Sequence, residues 1–107
     1  MNYSLPDPPP VVGVVVRTPS AAHDAWDITC TTGDPVFATH DGTVSDGYHF
    51  LMGNYAVLST DWGRAYYAHL DAVTAKGVVL KGEKIGDCGS TGKWSTGPHL
   101  HYELHID

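Results

Sequence analysis

Polar and apolar residues alternate along much of this chain, and nowhere do they settle into a helical stripe. The clearest case is the end of the chain. In His99-Leu100-His101-Tyr102-Glu103-Leu104-His105-Ile106 the two classes exchange at every position. On an extended backbone this puts His99, His101, Glu103 and His105 on one face and Leu100, Tyr102, Leu104 and Ile106 on the other. Shorter β-branched or aromatic runs stand at Val11 to Val16, Val36 to Ala38, Tyr55 to Leu58 and Arg64 to Leu70. Turn-forming residues separate them about every ten positions. They are Thr32 to Pro35, Asp41-Gly42, Asp46-Gly47, Gly53-Asn54 and Trp62-Gly63. Short strands punctuated in this way predict an all-β, mainly antiparallel sheet with short loops and little helix. The one helical candidate is a single short turn over Leu70 to Ala75.

Composition narrows the picture. With 107 residues the chain fits one domain with a real core. Residues 1 to 10 hold four prolines and no periodic pattern, and read as an extended tail or linker before a folded domain over 11–107. The net charge is −6, with only six Lys and Arg residues scattered along the chain. Nucleic acid and anionic membrane surfaces are therefore not expected as partners. No apolar run approaches the ~20 residues that span a bilayer, so membrane insertion is not expected either. The start, MNYSLPDPPP, has neither a basic segment nor an apolar one and does not read as a secretory signal. A processed or excised domain, or export by another route, is the expectation.

Seven histidines carry the candidate chemistry. His99 and His101 share a strand face, roughly 6–7 Å apart along it. His23 and Asp27 are four apart and share parity on an extended segment. Catalytic zinc sites usually draw three protein ligands from His and carboxylate and leave one position open. His23, Asp27 and His101 would supply that set. Each motif alone is weak: an isolated His-x-His or His-x-x-x-Asp is commonly surface polarity. His69 ends a predicted strand, where a structural histidine is the default. His40 and His49 lie near turns and read as solvent-facing.

Taken together and in order, these motifs resemble the lysostaphin-like M23 family of zinc metallopeptidases. The resemblance rests on His23-x-x-x-Asp27, Tyr67-Ala68-His69-Leu70, Gly89-Ser90-Thr91-Gly92 and Thr96-Gly97-Pro98-His99-Leu100-His101-Tyr102-Glu103-Leu104. Gly33 to Ala38, Asp41 to Val44 and Gly77 to Gly86 match the text between those motifs. It covers about residues 12 to 105. It implies an antiparallel sheet of the barrel-sandwich-hybrid type with the site in a groove on one face. It implies one Zn2+ per chain, bound by His23, Asp27 and His101, with His69 and His99 catalytic rather than ligating. The substrates implied are peptides of bacterial peptidoglycan, cut in a cross-bridge or a stem peptide in the cell envelope. The small size and the lack of a signal fit a phage-borne enzyme or a domain delivered by secretion machinery.

Some residues sit outside that pattern. Ala25 occupies a position that is usually glycine in the first motif, where its methyl group would narrow the approach to the metal. Glu103 shares the face of His101, as a partner for that ligand or as a solvated carboxylate. His105 reads as exposed rather than as a ligand. Gly89 to Gly92 and Ser95 to Gly97 are candidate groove walls. Tyr66, Tyr67, Trp62 and Trp94 are candidate lining residues, with core packing the commoner role for aromatics. Cys30 and Cys88 stand where the family often has small apolar residues, and three readings stay open: a disulfide, two buried thiols, or further ligands. Two other functions compete with an active peptidase. One is a degenerate M23-like domain that binds wall or partner protein without cutting, although all five functional positions are present. The other is a biotinyl- or lipoyl-type carrier domain, although Lys76 does not sit at the hairpin tip such a domain requires.

Overall fold

The computed structural model describes residues 5–21 and 24–107. Among these residues nine strands form one sheet: β1 (Val15–Arg17), β2 (Trp26–Thr29), β3 (Pro35–Phe37), β4 (Gly42–His49), β5 (Gly53–Ser59), β6 (Gly63–Val73), β7 (Gly77–Val79), β8 (Lys84–Cys88) and β9 (His99–Ile106). The strand order is β1-β2-β9-β6-β5-β4-β7, with β8 joining β6 and carrying β3 on its far side. Every pairing is antiparallel. Among the described residues there is no helix, and so none long and apolar enough to cross a membrane.

β6 organises the architecture. β5 runs along one of its edges. On the other edge it changes partner: Gly63 to Ala68 pair with β9, and Leu70 to Val73 pair with β8. The sheet forks at the change, and His69 stands at the fork. Burial follows the fork, because Ala65 and Tyr67 to Leu70 are covered on both faces. Ile28, Leu58, Leu70, Ile85, Leu100 and Tyr102 are fully buried and fill the core. Under β9, the hydroxyls of Tyr67 and Tyr102 meet Thr39 Oγ1 at 3.0 Å and 2.8 Å. Burial pushes the Tyr67 phenol up to about 12, against the hydrogen bonds from Thr39, and raises Tyr102 as well. Both rings therefore pack as neutral groups whose polar ends are satisfied.

The all-β reading agrees with this architecture, and β9 has the predicted span and alternation. Three local expectations do not hold. The Val11 to Val16 run yields a strand only at Val15–Arg17, with Val12 and Val14 80% and 67% exposed outside it. Leu70 to Val73 form no helical turn, because β8 takes up their backbone hydrogen bonds. Asp46-Gly47 is no turn but the middle of β4, opposite Ala56 and Tyr55. The missing Cβ of Gly47 leaves room there for the Tyr55 ring. In the proline-rich segment, Pro10 and Val11 are buried, and Leu5 packs against the core. The Pro10 carbonyl accepts a hydrogen bond from Phe37 N at 2.8 Å. Of the three readings for the cysteines, the disulfide is the one observed: Cys30 and Cys88 are bonded, with Cα atoms 6.5 Å apart.

Candidate active site

Strand register assembles the site. In the β2–β9 ladder Asp27 lies opposite His101, and Thr29 opposite His99. Residues directly opposite on antiparallel strands share a face, so Asp27 meets the two histidines across the ladder. Asp27 Oδ1 is 3.4 Å from His101 Nδ1 and 3.8 Å from His99 Nε2. On the other side of β9, Ala68 of β6 pairs with His101, which brings the next residue, His69, to the same place. The His69 ring centroid is 4.8 Å from that of His99 and 5.8 Å from that of His101. These four residues line one cleft together with Arg17 and Trp94. The fifth predicted residue, His23, lies outside the described residues.

Two of the imidazoles are held by the same device. His69 Nδ1 is 2.8 Å from the Thr91 carbonyl, and His99 Nδ1 is 2.9 Å from the Gly97 carbonyl. A carbonyl oxygen only accepts, so each Nδ1 carries the proton. Nε2 of each ring is left for the cleft, with a lone pair when the ring is neutral. Burial lowers the His69 pKa, while the bond to Thr91 works against this, so the neutral form is favoured. His69 also has φ at +63°, a left-handed conformation for a residue that carries a Cβ. Such a conformation costs on the order of 1–3 kcal/mol and persists only where its surroundings enforce it. Here the His69 amide donates to the Met52 carbonyl at 2.8 Å. The Thr91 hydroxyl donates to the carbonyl of Leu70 at 2.6 Å and accepts from Asn54 N at 3.1 Å. Gly53 and Gly92, both at positive φ, pack so closely that a Cβ on either would collide with the other loop's backbone. The β4–β5 hairpin thereby clamps the loop that orients His69.

Asp27 and His101 are the residues of this group whose donor atoms could hold a metal. Their side chains are 13% and 15% exposed. Two donors on one tetrahedral zinc at ~2.0–2.1 Å stand about 3.3 Å apart, which the 3.4 Å spacing matches. The donor types, a carboxylate and an imidazole, also suit zinc. Among the described residues no group of three donors is complete. The second nitrogen of His101, Nε2, donates to Glu103 Oε2 at 2.7 Å. Burial alone would lower the His101 pKa, but the bonds to Asp27 and Glu103 outweigh it and push it up to about 9. Glu103 is held down by the bond from His101 and, against burial, by a second bond from His105. Arg17 reaches the rim, with Nη1 4.0 Å from Asp27 Oδ2 and its side chain 58% exposed.

Several residues are not where the sequence put them. Ala25 is buried, so its methyl group packs inside the protein. His40 is half-buried rather than fully solvent-facing: its ring packs edge-on against Trp62, with centroids 4.7 Å apart. Its Nδ1 lies 2.9 Å from Thr39 Oγ1. His49 is exposed, as expected. His105 is half-exposed but bonds to Glu103 at 2.8 Å. Of the four aromatics only Trp94 lines the cleft; Tyr67 is in the core and Tyr66 meets the His105 ring. The roles of the Thr91 and Gly97 carbonyls and of Arg17 had no sequence signal. Any residue has a carbonyl, and Arg17 lies on an edge strand with no motif around it.

Comparison with known proteins gives this geometry a family. The model of Peptidase family M23 matches residues 21–107. The peptidoglycan DD-endopeptidase ShyA of Vibrio cholerae is 40% identical over 92 residues, which are 80% of this chain and 21% of ShyA. The chain spans about a fifth of the length of the curated relatives it matches. The crystal structure of a zinc-containing peptidase from Vibrio cholerae superposes with a TM-score of 0.73 at 34% identity, covering 88% of this chain and 32% of that one. The catalytic domain of lysostaphin from Staphylococcus simulans gives 0.71 at 29% identity, covering 90% and 77%. An antiparallel sheet of the lysostaphin type, a cleft joining Asp27 and His101 to His69 and His99, and a match over nearly all of the folded chain lead to one conclusion: the chain belongs to peptidase family M23.

Proposed function

We propose that this chain is a zinc-dependent endopeptidase acting on bacterial peptidoglycan in the cell envelope. The observation that carries the reading is the pair His69 and His99. A metal site needs neither, yet each has its Nδ1–H tied to a backbone carbonyl and its Nε2 left for the cleft beside Asp27 and His101. Asp27 and His101 would hold the metal with His23 as the third ligand, in agreement with the donor types and the spacing above. Zinc, when bound, supplies an electrophile for the scissile carbonyl and lowers the pKa of its water from 15.7 toward about 7. His69 and His99 handle the proton and the developing negative charge. A neutral imidazole accepts a proton at Nε2, and an imidazole carrying one there donates a hydrogen bond to an oxyanion. The Nδ1 bonds stop either ring from turning away between those tasks.

The exposed Trp94 and Arg17 at the rim offer an aromatic face and a cation to a peptide with carboxylates. The name of the ShyA relative supports the stem-peptide class of bond over glycine cross-bridges. Delivery to the wall, by a phage particle or by secretion machinery, belongs to the same proposal. The test is zymography on purified peptidoglycan of several chemotypes, with chelator and with zinc restored. Cleavage that chelator abolishes and zinc returns is the expected result. Binding without cleavage by the zinc-loaded protein would overturn the proposal in favour of a degenerate, wall-binding domain.

A further inference from the structure

Alternation on β9 brings a third and a fourth residue to the face of His101. Glu103 uses both carboxylate oxygens there: Oε2 accepts from His101 Nε2 at 2.7 Å, and Oε1 accepts from His105 Nε2 at 2.8 Å. His105 is steadied in turn by the Tyr66 ring, which it meets nearly perpendicular at 5.2 Å between centroids. The result is a row, Tyr66 to His105 to Glu103 to His101, that ends at the nitrogen opposite the one facing Asp27. An imidazole that donates from Nε2 to a carboxylate is fixed in its tautomer, and in the neutral form it presents its lone pair at Nδ1. That is the atom 3.4 Å from Asp27 Oδ1. The side chains of His101, Glu103 and His105 are 15%, 23% and 39% exposed, so the row runs from the cleft to the surface along a single strand.

We propose that Glu103 is a positioning residue that fixes His101 for metal binding through Nδ1, and that His105 acts through Glu103 by holding its second oxygen. The inference rests on reading the cleft as a zinc site. The carboxylate contributes orientation and basicity to the ligand and does not itself touch the metal. Its worth should therefore appear in metal affinity. Loss of such a carboxylate partner typically weakens binding by about 10–100-fold.

The experiment uses the whole chain as wild type, Glu103→Ala, Glu103→Gln, His105→Ala and the Glu103→Ala/His105→Ala double variant. Zinc affinity is measured by competition with a chromophoric chelator. The visible spectrum of the cobalt(II)-loaded protein reports the ligand field, and thermal midpoints of the metal-free proteins report folding. Glu103→Ala should bind zinc about 10–100-fold more weakly and shift the cobalt bands. Glu103→Gln should fall between it and wild type, because the amide oxygen still accepts from Nε2–H without the charge, and this near-isosteric change keeps the test open if the alanine variant folds poorly. His105→Ala should lose less. The double variant should bind no more weakly than Glu103→Ala alone, since His105 has no route to the metal except through Glu103. Glu103→Ala and Glu103→Gln both within about twofold of wild type, or a double variant that loses the product of the single effects, overturns the inference while leaving the zinc site intact. Wild-type protein that takes up no zinc overturns the reading of the cleft and this inference with it.

Discussion

The Cys30–Cys88 bond joins the end of β2, which carries Asp27, to the end of β8, which pairs with Leu70 beside His69. Reducing it should cost this fold a large part of its stability. The two cysteines are 58 positions apart. In the chain-entropy description a loop of that length removes roughly 14 cal/mol/K from the unfolded ensemble, or about 4 kcal/mol at room temperature. Unfolding entropy near 60 °C is about 2.1 cal/mol/K per residue, so 107 residues give roughly 225 cal/mol/K. Division predicts a fall in Tm of roughly 15–20 °C. The assay is a calorimetric or circular-dichroism melt of one preparation, oxidised and then fully reduced, with free thiols counted before and after. Using one sequence in both states isolates the cross-link. A Cys30→Ala/Cys88→Ala variant should melt slightly below the reduced protein, because it also loses the contacts of the fully buried Cys88 sulfur. Reduced and oxidised melts within about 3 °C of each other would refute the reasoning. The bond would then constrain little that the unfolded chain does not already constrain.

Three further outcomes follow from the site and the core. His69→Ala and His99→Ala should each lower peptidase activity by about 10²–10⁴-fold with zinc content unchanged; full activity in either variant removes that histidine from the chemistry. Leu100 is fully buried between two site histidines, and Leu100→Ala should cost about 2–5 kcal/mol in chemical denaturation, so a loss under about 1 kcal/mol would mean the core there can collapse. Burial, together with nearby Lys81, holds His40 below its ordinary pKa against the pull of Asp41. The unfolded chain therefore binds a proton near pH 6.5 that the folded chain refuses, and His40 contributes stability that is lost as the pH falls through that range. Urea midpoints at about pH 7.5 and pH 5 should fall less steeply for His40→Gln than for wild type, and equal slopes would show that His40 does not carry the effect.

The face of β9 and the all-β class were legible in the sequence because they depend on local rules, whereas Asp27, His69, His99 and His101 stood out as a set only through the family resemblance of their motifs. A period of two fixes which side chains share a face, and turn residues mark where strands must stop. The same rules misread Asp46-Gly47 and Leu70 to Val73. There a distant partner decided the backbone: Tyr55 over Gly47, and β8 beside Leu70. What makes the cleft a site depends on register between strands far apart in the chain. Asp27 and His101 are 74 positions apart in the numbering, and only the β2–β9 ladder puts them 3.4 Å from each other. The Thr91 and Gly97 carbonyls that orient two imidazoles are invisible to any reading of residue types. The sequence by itself determined the all-β class and which strand face presents His99, His101, Glu103 and His105. The tertiary structure alone decided which nitrogen of each histidine faces the cleft and that Glu103 spans His101 and His105, because hydrogen-bond partners are chosen by packing and not by neighbours in the chain.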